Sequence, residues 1–143
     1  MHEPVMDPAA VTAFLRREFP QMWADGEVFR IEAIGQGTAR LRLDPLERHL
    51  RPGGTVSGPT LFTLADVSAY VAVLAHVGPK ALAVTTNLTI DFLHRAKPGA
   101  LFGEARILKL GSRLVVVACE MTDGERRIVA HATATYSVPP ARV

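Results

Sequence analysis

The sequence predicts an α+β fold in which an antiparallel β-sheet wraps around one long, buried α-helix. Residues 57–78, SGPTLFTLADVSAYVAVLAHVG, are apolar on nearly every side of a helix, a pattern that requires burial on most sides. Segments with the alternation of half-buried strands lie before and after this stretch. A single apolar helix beside an antiparallel sheet is hidden only if the sheet curls around it.

An N-terminal cover helix begins the predicted order of elements. Asp7 followed by Pro8 is typical of a helix N-cap with proline at the first helical position. Pro20 should end the helix after Phe19. One face of this helix is apolar and should pack on the rest of the fold: Val11, Phe14 and Leu15.

A β-hairpin is predicted next, from the segments VFRIEAI and TARLRLD. Gly35 and Gly37 lie between them and suit a turn. Simple alternation puts three residues of the first segment on one face: Phe29, Ile31 and Ala33. It does the same in the second segment for Ala39, Leu41 and Leu43.

The long helix should begin at Ser57 or Gly58 and end at Gly78. Four strand segments follow it: LAVTTNLTIDFL, LFGEARILKL, RLVVVACEM and RRIVAHATATYSV. In the first of them, alternation separates an apolar face (Leu82, Val84, Leu88, Ile90 and Phe92) from a polar face (Thr85, Asn87, Thr89 and Asp91). In the last, one face carries Ile128, Ala130, Ala132, Ala134 and Tyr136. We expect residues 1–143 to form a single domain.

Composition excludes several classes of function. A net charge of +2 in 143 residues, with dispersed basic residues, argues against a nucleic-acid-binding protein. One cysteine, Cys119, cannot form an internal disulfide, so we expect a cytoplasmic protein. The N-terminus lacks the pattern of a signal peptide, and an aspartate inside the long helix argues against a membrane span. Three histidines, His76, His94 and His131, lack metal-ligand spacing, and we predict no metal.

Asp66 is the most informative residue of the long helix. Between Arg51 and Lys80 it is the one residue charged at neutral pH, apart from the titratable His76. A carboxylate among apolar neighbours costs several kcal/mol unless it has a partner or takes up a proton. Such a residue is a candidate general base or nucleophile, the alternative being a structural carboxylate. Three residues share its helical face and could line a ligand pocket or simply belong to the core: Phe62, Tyr70 and Val73.

The start of the long helix is the second candidate site. Free N–H groups and the positive end of the helix dipole can stabilise an oxyanion there, and Gly58 permits close approach; the alternative is that Ser57 and Gly58 only cap the helix. Gly58 and Asp66 are eight positions apart, about 12 Å along a helix. Both could act on one carbonyl only if two antiparallel helices from two chains meet, which predicts a homodimer.

The segments GGTVSGPTLFTLADVSAY, TTNLTIDFLHRAKPG and LKLGSRLVVVACEMTDGERRIVAHATATY, taken in this order, resemble the hotdog fold and specifically the PaaI-like (phenylacetic acid degradation type) acyl-CoA thioesterases. The resemblance covers about residues 27–138. It implies hydrolysis of an acyl- or aryl-acyl-CoA to a free acid and CoA, with no cofactor besides the CoA of the substrate. It also implies a homodimer, and a dimer of dimers (a homotetramer) is expected.

The resemblance assigns roles residue by residue. The catalytic acid on the helix falls on Asp66, the glycine whose N–H holds the thioester carbonyl on Gly58, and a hydroxyl on the following strand on Thr85. Three positions depart from the family pattern. Ser57 stands where the family has a histidine, and it stays a candidate catalytic residue. Pro59 stands in place of the family's second glycine, and Arg51 in place of a loop asparagine.

The candidate substrate-binding residues fall into two groups. Phe62 and Tyr70 would contact the acyl group. The others lie in loops and at strand ends, or on the strand after the helix, and could contact the rest of an acyl-CoA: Arg51, Gly54, Asn87, Arg95, Lys97 and Arg113. Basic side chains among them suit the CoA phosphates, although a solvated surface is the default for each.

Two other functions stay open from the sequence. A non-catalytic module that binds acyl-CoA or a small acid is consistent with Ser57 and Pro59 at the helix start. A hotdog-fold dehydratase or hydratase would need a histidine paired with the acid, and position 57 does not supply one. The sequence specifies neither the acyl group nor whether Asp66 is nucleophile or general base.

Overall fold

A computed structural model describes residues 2–140. It consists of a six-stranded, wholly antiparallel sheet around a 20-residue helix. The strands are β1 (Phe29–Gly35), β2 (Thr38–Leu43), β3 (Val84–Phe92), β4 (Leu101–Leu110), β5 (Leu114–Thr122) and β6 (Ile128–Ser137), and the helices are α1 (Pro8–Glu18) and α2 (Gly58–Val77). Short 3₁₀ helices cover Pro20–Trp23 and Glu47–His49. The strand order is β1-β2-β4-β5-β6-β3, which confirms the predicted hotdog arrangement.

The central helix α2 begins and ends where its capping residues predict. Ser57 is the N-cap, and its hydroxyl oxygen accepts a hydrogen bond of 3.3 Å from the Thr60 N–H. Gly78, with φ of 96°, ends the helix, a conformation that glycine adopts without strain. Within residues 2–140, α2 is long and apolar enough to span a bilayer, but 67% of its apolar window is buried inside the fold. Its hydrophobicity is accounted for by burial in the core.

The cover helix α1 is confirmed with the predicted boundaries and face. The Asp7 side chain accepts a hydrogen bond from the Ala10 N–H at 2.8 Å. The three predicted apolar residues are buried: Val11, Phe14 and Leu15. The segment before α1 also contacts the central helix, because the Val5 N–H donates to the Ala75 carbonyl at 2.7 Å.

A β-bulge in β1 overturns one predicted face. The pairing with β2 shifts between Ile31 and Ala33, so Glu32 is an extra residue and the alternation changes phase. Ile31 is buried as predicted, but Ala33 is exposed, and Ile34 packs on the core instead. In β2 the predicted buried residues Ala39, Leu41 and Leu43 are confirmed.

A second bulge, in β3, corrects the predicted position of Thr85. The pairing with β6 shifts between Thr85 and Asn87, which leaves Thr86 as the extra residue. Thr85 pairs with Tyr136, and its side chain turns inward toward α2, whereas simple alternation put it on the outer face with Asn87. Leu82 and Val84 are correspondingly exposed rather than buried. Leu88 and Ile90 keep their predicted inward face.

His76 has a structural role near the C-terminal end of α2. Its Nε2 accepts a hydrogen bond of 2.9 Å from the Gly37 N–H, and its Nδ1 lies 2.7 Å from the Ala72 carbonyl. Nε2 also lies 3.1 Å from the Gly35 carbonyl. The buried imidazole thereby ties α2 to the β1–β2 turn. No group of three potential metal-ligating side chains is present in residues 2–140.

Candidate active site

A cavity of about 550 Å³ lies against the middle of α2. Its walls come from the end of α1, from α2, from the start of β3 with the preceding loop, and from β6. Twelve residues line it: Glu18, Phe19, Phe62, Thr63, Asp66, Val67, Tyr70, Ala81, Ala83, Val84, Thr85 and Tyr136. The lining is largely apolar. It includes two carboxylates, Glu18 at the end of α1 and Asp66 on α2, and two hydroxyl groups lie beside Asp66, a combination typical of small-molecule sites.

One of the two oxygens of the Asp66 carboxylate accepts hydrogen bonds from neighbouring side chains. Its Oδ1 accepts hydrogen bonds from the Thr85 hydroxyl at 2.6 Å and from the Tyr136 hydroxyl at 2.5 Å. Its Oδ2 accepts no hydrogen bond within residues 2–140 and is not enclosed. Asp66 is half-buried on the cavity wall. The carboxylate thus has one anchored oxygen and one oxygen available to a ligand or a water.

With Thr86 present in the strand, the β3 bulge is what keeps Thr85 in contact with Asp66. Because Thr86 is the extra residue, Thr85 faces α2 beside Tyr136. Bulges of this kind redirect a side chain near functional sites. The Thr85 hydroxyl uses its one proton to donate to Asp66, and its oxygen can still accept a hydrogen bond from a water.

Tyr136 is a site residue that the sequence analysis did not identify as one. It is 2% exposed, and its hydroxyl also lies 2.8 Å from the Asp66 backbone carbonyl. Burial, together with the Asp66 charge, raises the pKa of the Tyr136 phenol well above its usual value, so Tyr136 remains a proton donor. The signal in the sequence is a single large aromatic residue on the alanine-rich inner face of β6.

The apolar walls include two of the predicted ligand-contacting residues. Tyr70 stacks on Tyr136 with ring centroids 5.9 Å apart and planes 10° apart, and its hydroxyl donates to the Ala81 carbonyl at 2.9 Å. Burial, with a smaller contribution from Glu18, raises the pKa of Tyr70. Phe62 lines the same cavity and is partly exposed. Val73 is fully buried and belongs to the core, which is one of the two alternatives that the sequence left open for it.

Gly58 lies in a second cavity, of about 320 Å³, at the N-terminal end of α2. The Gly58 N–H is the first of the helix, and no hydrogen bond from it occurs in the described chain. The Phe92 ring covers the glycine, since an added Cβ would lie 3.3 Å from Phe92 Cζ. Two of the predicted basic residues, Arg51 and Arg95, line this cavity, and Lys97 follows in the same loop and is exposed.

The structure separates Gly58 from Asp66. They line different cavities of one chain, as their spacing of about 12 Å along a helix requires. The hypothesis of a site that uses both residues therefore still needs a second chain.

The other candidate residues line neither cavity. The Ser57 hydroxyl is engaged at the helix start, 2.7 Å from the Thr60 hydroxyl. Asn87 is exposed on the outer face of β3, Gly54 is exposed in the loop before α2, and Arg113 is exposed in the β4–β5 turn. Any contact of these residues with a ligand would have to be made outside the two cavities.

Comparisons with known proteins agree with this architecture. The family model of the thioesterase superfamily matches residues 53–130. A crystal structure from a Silicibacter species, described as a "putative thioesterase", is 48% identical over 97% of this chain and 96% of that chain, with a TM-score of 0.87. A Pseudomonas aeruginosa protein named "Putative esterase" is 36% identical over 77% of this chain and 81% of its own length.

Two further solved structures are similar to this chain. A Ralstonia eutropha protein, described as a "putative thioesterase, phenylacetic acid degradation-related protein", is 28% identical over 87% of this chain and 98% of that chain, with a TM-score of 0.78. A Streptococcus mutans protein solved with acetyl CoA is 25% identical over 82% of this chain and 93% of that chain, with a TM-score of 0.72. The family match spans more than half of the sequence and includes α2, the helix that contributes residues to both cavities. This chain belongs to the thioesterase superfamily.

Proposed function

We propose that this protein is an acyl-CoA thioesterase that hydrolyses an acyl- or aryl-acyl-CoA to a free acid and CoA. The observation that carries the proposal is the Asp66 carboxylate on the wall of a largely apolar cavity of about 550 Å³: among the described residues, one of its oxygens accepts two hydrogen bonds and the other accepts none. The cavity would take the acyl group, with Phe62 and Tyr70 as its walls. Family membership supports thioester hydrolysis as the reaction.

Asp66 can serve this reaction in two ways. As a general base it takes a proton from water, the water oxygen bonds to the acyl carbon, and the C–S bond breaks with its electron pair leaving on the CoA sulfur. As a nucleophile it bonds to the acyl carbon itself, CoA leaves as thiolate, and water then hydrolyses the mixed anhydride. Thr85 holds the carboxylate in both cases. No cofactor is needed, because CoA is part of the substrate.

Gly58 is proposed as the oxyanion donor. Its N–H makes no hydrogen bond within residues 2–140 and lies at the positive end of the α2 dipole, where a developing negative charge is stabilised. Pro59 has no N–H, and the Thr60 N–H is used by the Ser57 cap. Gly58 therefore carries this role alone in the first turn.

Asp66 of one chain and Gly58 of another would complete the site in a homodimer. Strand β3 lies at the edge of the described sheet, beside β6, and this open edge supports the assembly. Exposed apolar side chains accompany that edge: Leu82, Val84, Phe92 and Leu93. Two antiparallel α2 helices related by a two-fold axis would bring each Asp66 to the partner's cavity around Gly58. A dimer of dimers is the further assembly that we propose.

Basic loop residues are proposed to contact the CoA moiety. Arg51 and Arg95 line the Gly58 cavity and Lys97 follows them, and guanidinium groups suit phosphate oxygens. The acetyl CoA bound to the Streptococcus mutans relative supports this class of ligand. Gly54, Asn87 and Arg113 remain candidates for contacts with parts of an acyl-CoA that lie outside the two cavities. One buried thiol, Cys119, supports the proposal of a cytoplasmic protein.

A binding protein without turnover is the second candidate. The observation that favours it is the first turn of α2, where Pro59 replaces an N–H donor and the Ser57 hydroxyl is used as a cap. Incubation with a panel of acyl-CoAs and a thiol reagent separates the two functions. Release of free CoA that disappears in Asp66→Asn supports the thioesterase, whereas calorimetric binding of intact acyl-CoA without release supports the binding protein.

A further inference from the structure

We propose that Tyr136 is a positioning residue, which with Thr85 holds Oδ1 of Asp66 and leaves Oδ2 as the oxygen that reacts. This inference rests on the proposed function, since it concerns how the same carboxylate would act. The Asp66 carboxylate is held asymmetrically: in the part of the chain that the structure describes, both side-chain hydrogen bonds to it go to Oδ1, at 2.6 Å and 2.5 Å.

The two donors approach from different strands, which fixes the plane of the carboxylate. Thr85 comes from β3 and Tyr136 from β6, and the two residues pair directly across the sheet. The Tyr136 hydroxyl also lies 2.8 Å from the Asp66 backbone carbonyl, so a single phenol contacts both the side chain and the helix that carries it. Rotation of the carboxylate would break contacts to two strands at once.

Tyr136 is itself held in place by packing. It is 2% exposed, and the Tyr70 ring stacks on it with planes 10° apart. Its phenol therefore has little freedom to follow a moving carboxylate. Such a rigid donor behind a reactive group is how a supporting residue preorganises a site.

The chemistry of Oδ2 follows from this arrangement. As general base, Oδ2 would receive the water proton while the water oxygen bonds to the acyl carbon. As nucleophile, Oδ2 would form the bond to the acyl carbon. In both routes the C–S bond breaks and its electron pair, with the negative charge, leaves on sulfur, while Oδ1 stays hydrogen-bonded as the carbonyl oxygen of the neutral acid or mixed anhydride that forms at Asp66.

Tyr136→Phe tests the inference, because it removes the hydroxyl and keeps the stacked ring. The matched control is Leu41→Val, a change in a fully buried residue that does not line the cavity. With an acyl-CoA hydrolysed by the wild type, we expect kcat on the pH plateau to fall by about 10- to 100-fold in Tyr136→Phe, up to the loss caused by misplacing a reacting group by about 1 Å, with little change in KM.

The pH profile supplies a readout that a purely structural role would not move. Hydrogen bonds to a carboxylate favour its charged form, so the acid limb of the kcat profile should move to higher pH in Tyr136→Phe and stay in place in Leu41→Val. Replacement of Tyr136 by 3-fluorotyrosine, a more acidic donor of nearly the same shape, should move the limb to lower pH. This second variant retains the phenol and keeps the test valid if Tyr136→Phe folds poorly.

The outcomes separate this inference from the proposed function. A wild type that releases no CoA from any acyl-CoA rejects the proposed function. The role of Tyr136 alone is rejected if Tyr136→Phe is active, its plateau kcat is within twofold of the wild-type value, and the acid limb of its pH profile is unmoved. A ¹³C NMR titration of the Asp66 carboxylate, assigned by its absence in Asp66→Asn, tests the hydrogen bond without relying on activity. An identical titration in wild type and Tyr136→Phe would overturn the inference.

Discussion

The Thr85 hydroxyl donates a hydrogen bond of 2.6 Å to Oδ1 of Asp66, and this contact joins the edge strand β3 to the central helix. It identifies the half-buried carboxylate as a group with partners rather than an isolated charge. The partners are neutral hydroxyls, so the negative charge of Asp66 is held in place without being neutralised by a cation. A carboxylate in this state is suited to act as a base or nucleophile.

Asp66→Asn should abolish most turnover without unfolding the protein. We expect kcat to fall by at least about 10²-fold, the lower range for a general acid–base group. The melting temperature should hold or rise, because the amide oxygen can still accept from Thr85 and Tyr136 while a partly buried charge is removed. Thermal midpoint and acyl-CoA hydrolysis are to be measured on the same sample. A strongly destabilised variant with full activity per folded molecule would make Asp66 a structural carboxylate.

Complementation between two inactive variants should reveal a shared site. Gly58→Val places a branched side chain where even a Cβ lies 3.3 Å from the Phe92 ring, and it should block approach to the N–H. We expect heterodimers when Gly58→Val is co-expressed with Asp66→Asn. One site of such a heterodimer would combine the intact Asp66 of the first chain with the intact Gly58 of the second, and the other site would carry both substitutions. Random pairing of equal amounts then restores about a quarter of wild-type activity in a two-fold dimer.

The control for this experiment is each variant expressed alone, which should be nearly inactive. Purification through two different affinity tags isolates the heterodimer, whose activity should be about half of wild type per dimer. A heterodimer as inactive as its parents, or an active monomer of 15.5 kDa in sedimentation equilibrium, would rule out the shared site.

The start of α2 can be tested by restoring the family pattern. Ser57→His with Pro59→Gly should raise turnover or leave it unchanged, since it adds a possible N–H donor. It should also cost about 1 kcal/mol of unfolding free energy, because the Ser57 cap on the Thr60 N–H is lost. Ser57→Ala is the matched control for the cap alone. Loss of acyl-CoA binding in a folded double variant would show that this loop does not correspond to the family's ligand loop.

The position of Asp66 and the boundaries of both helices could be predicted from the sequence, because they depend on local signals. Asp7 and Ser57 are capping residues, and a lone acid in an apolar helix is visible without a structure. The faces of β1 and β3 could not be predicted throughout, since a bulge at Glu32 or Thr86 leaves no periodic signal. Tyr136 lies 70 positions from Asp66, so its contact depends on the strand order, which short-range patterns do not specify.

His76 offers a test of a purely structural contact. His76→Leu should lower the free energy of unfolding by about 1–3 kcal/mol, because the Gly37 N–H would lose its buried acceptor. His76→Gln, which retains an acceptor, should lose less. Activity per folded molecule should be unchanged in both variants, as His76 lines neither cavity. Urea titration measures the stability, and a drop in kcat at full folding would contradict the structural role.

Cys119 should not interfere with thiol-based detection of CoA. It is 2% exposed, and burial raises the pKa of its thiol to about 12, so the neutral form persists at pH 8, where an ordinary cysteine begins to ionise. We expect less than about 0.1 thiol per native chain to react with a disulfide reagent at that pH, and one thiol after denaturation. Rapid reaction of the native protein would show that this part of β5 opens readily.

The bulge in β3 also decides which changes in chain length this strand can tolerate. Thr85 and Asn87 pair with two consecutive residues of β6, Tyr136 and Thr135. Thr86 therefore has no pairing partner in β6. A chain lacking Thr86 would restore regular alternation and still point Thr85 at Asp66. Loss of one residue between Asn87 and Phe92 would instead turn either Thr85 or the rest of the strand to the opposite face. Homologous sequences should therefore gain or lose a residue at position 86 more readily than anywhere else in this strand.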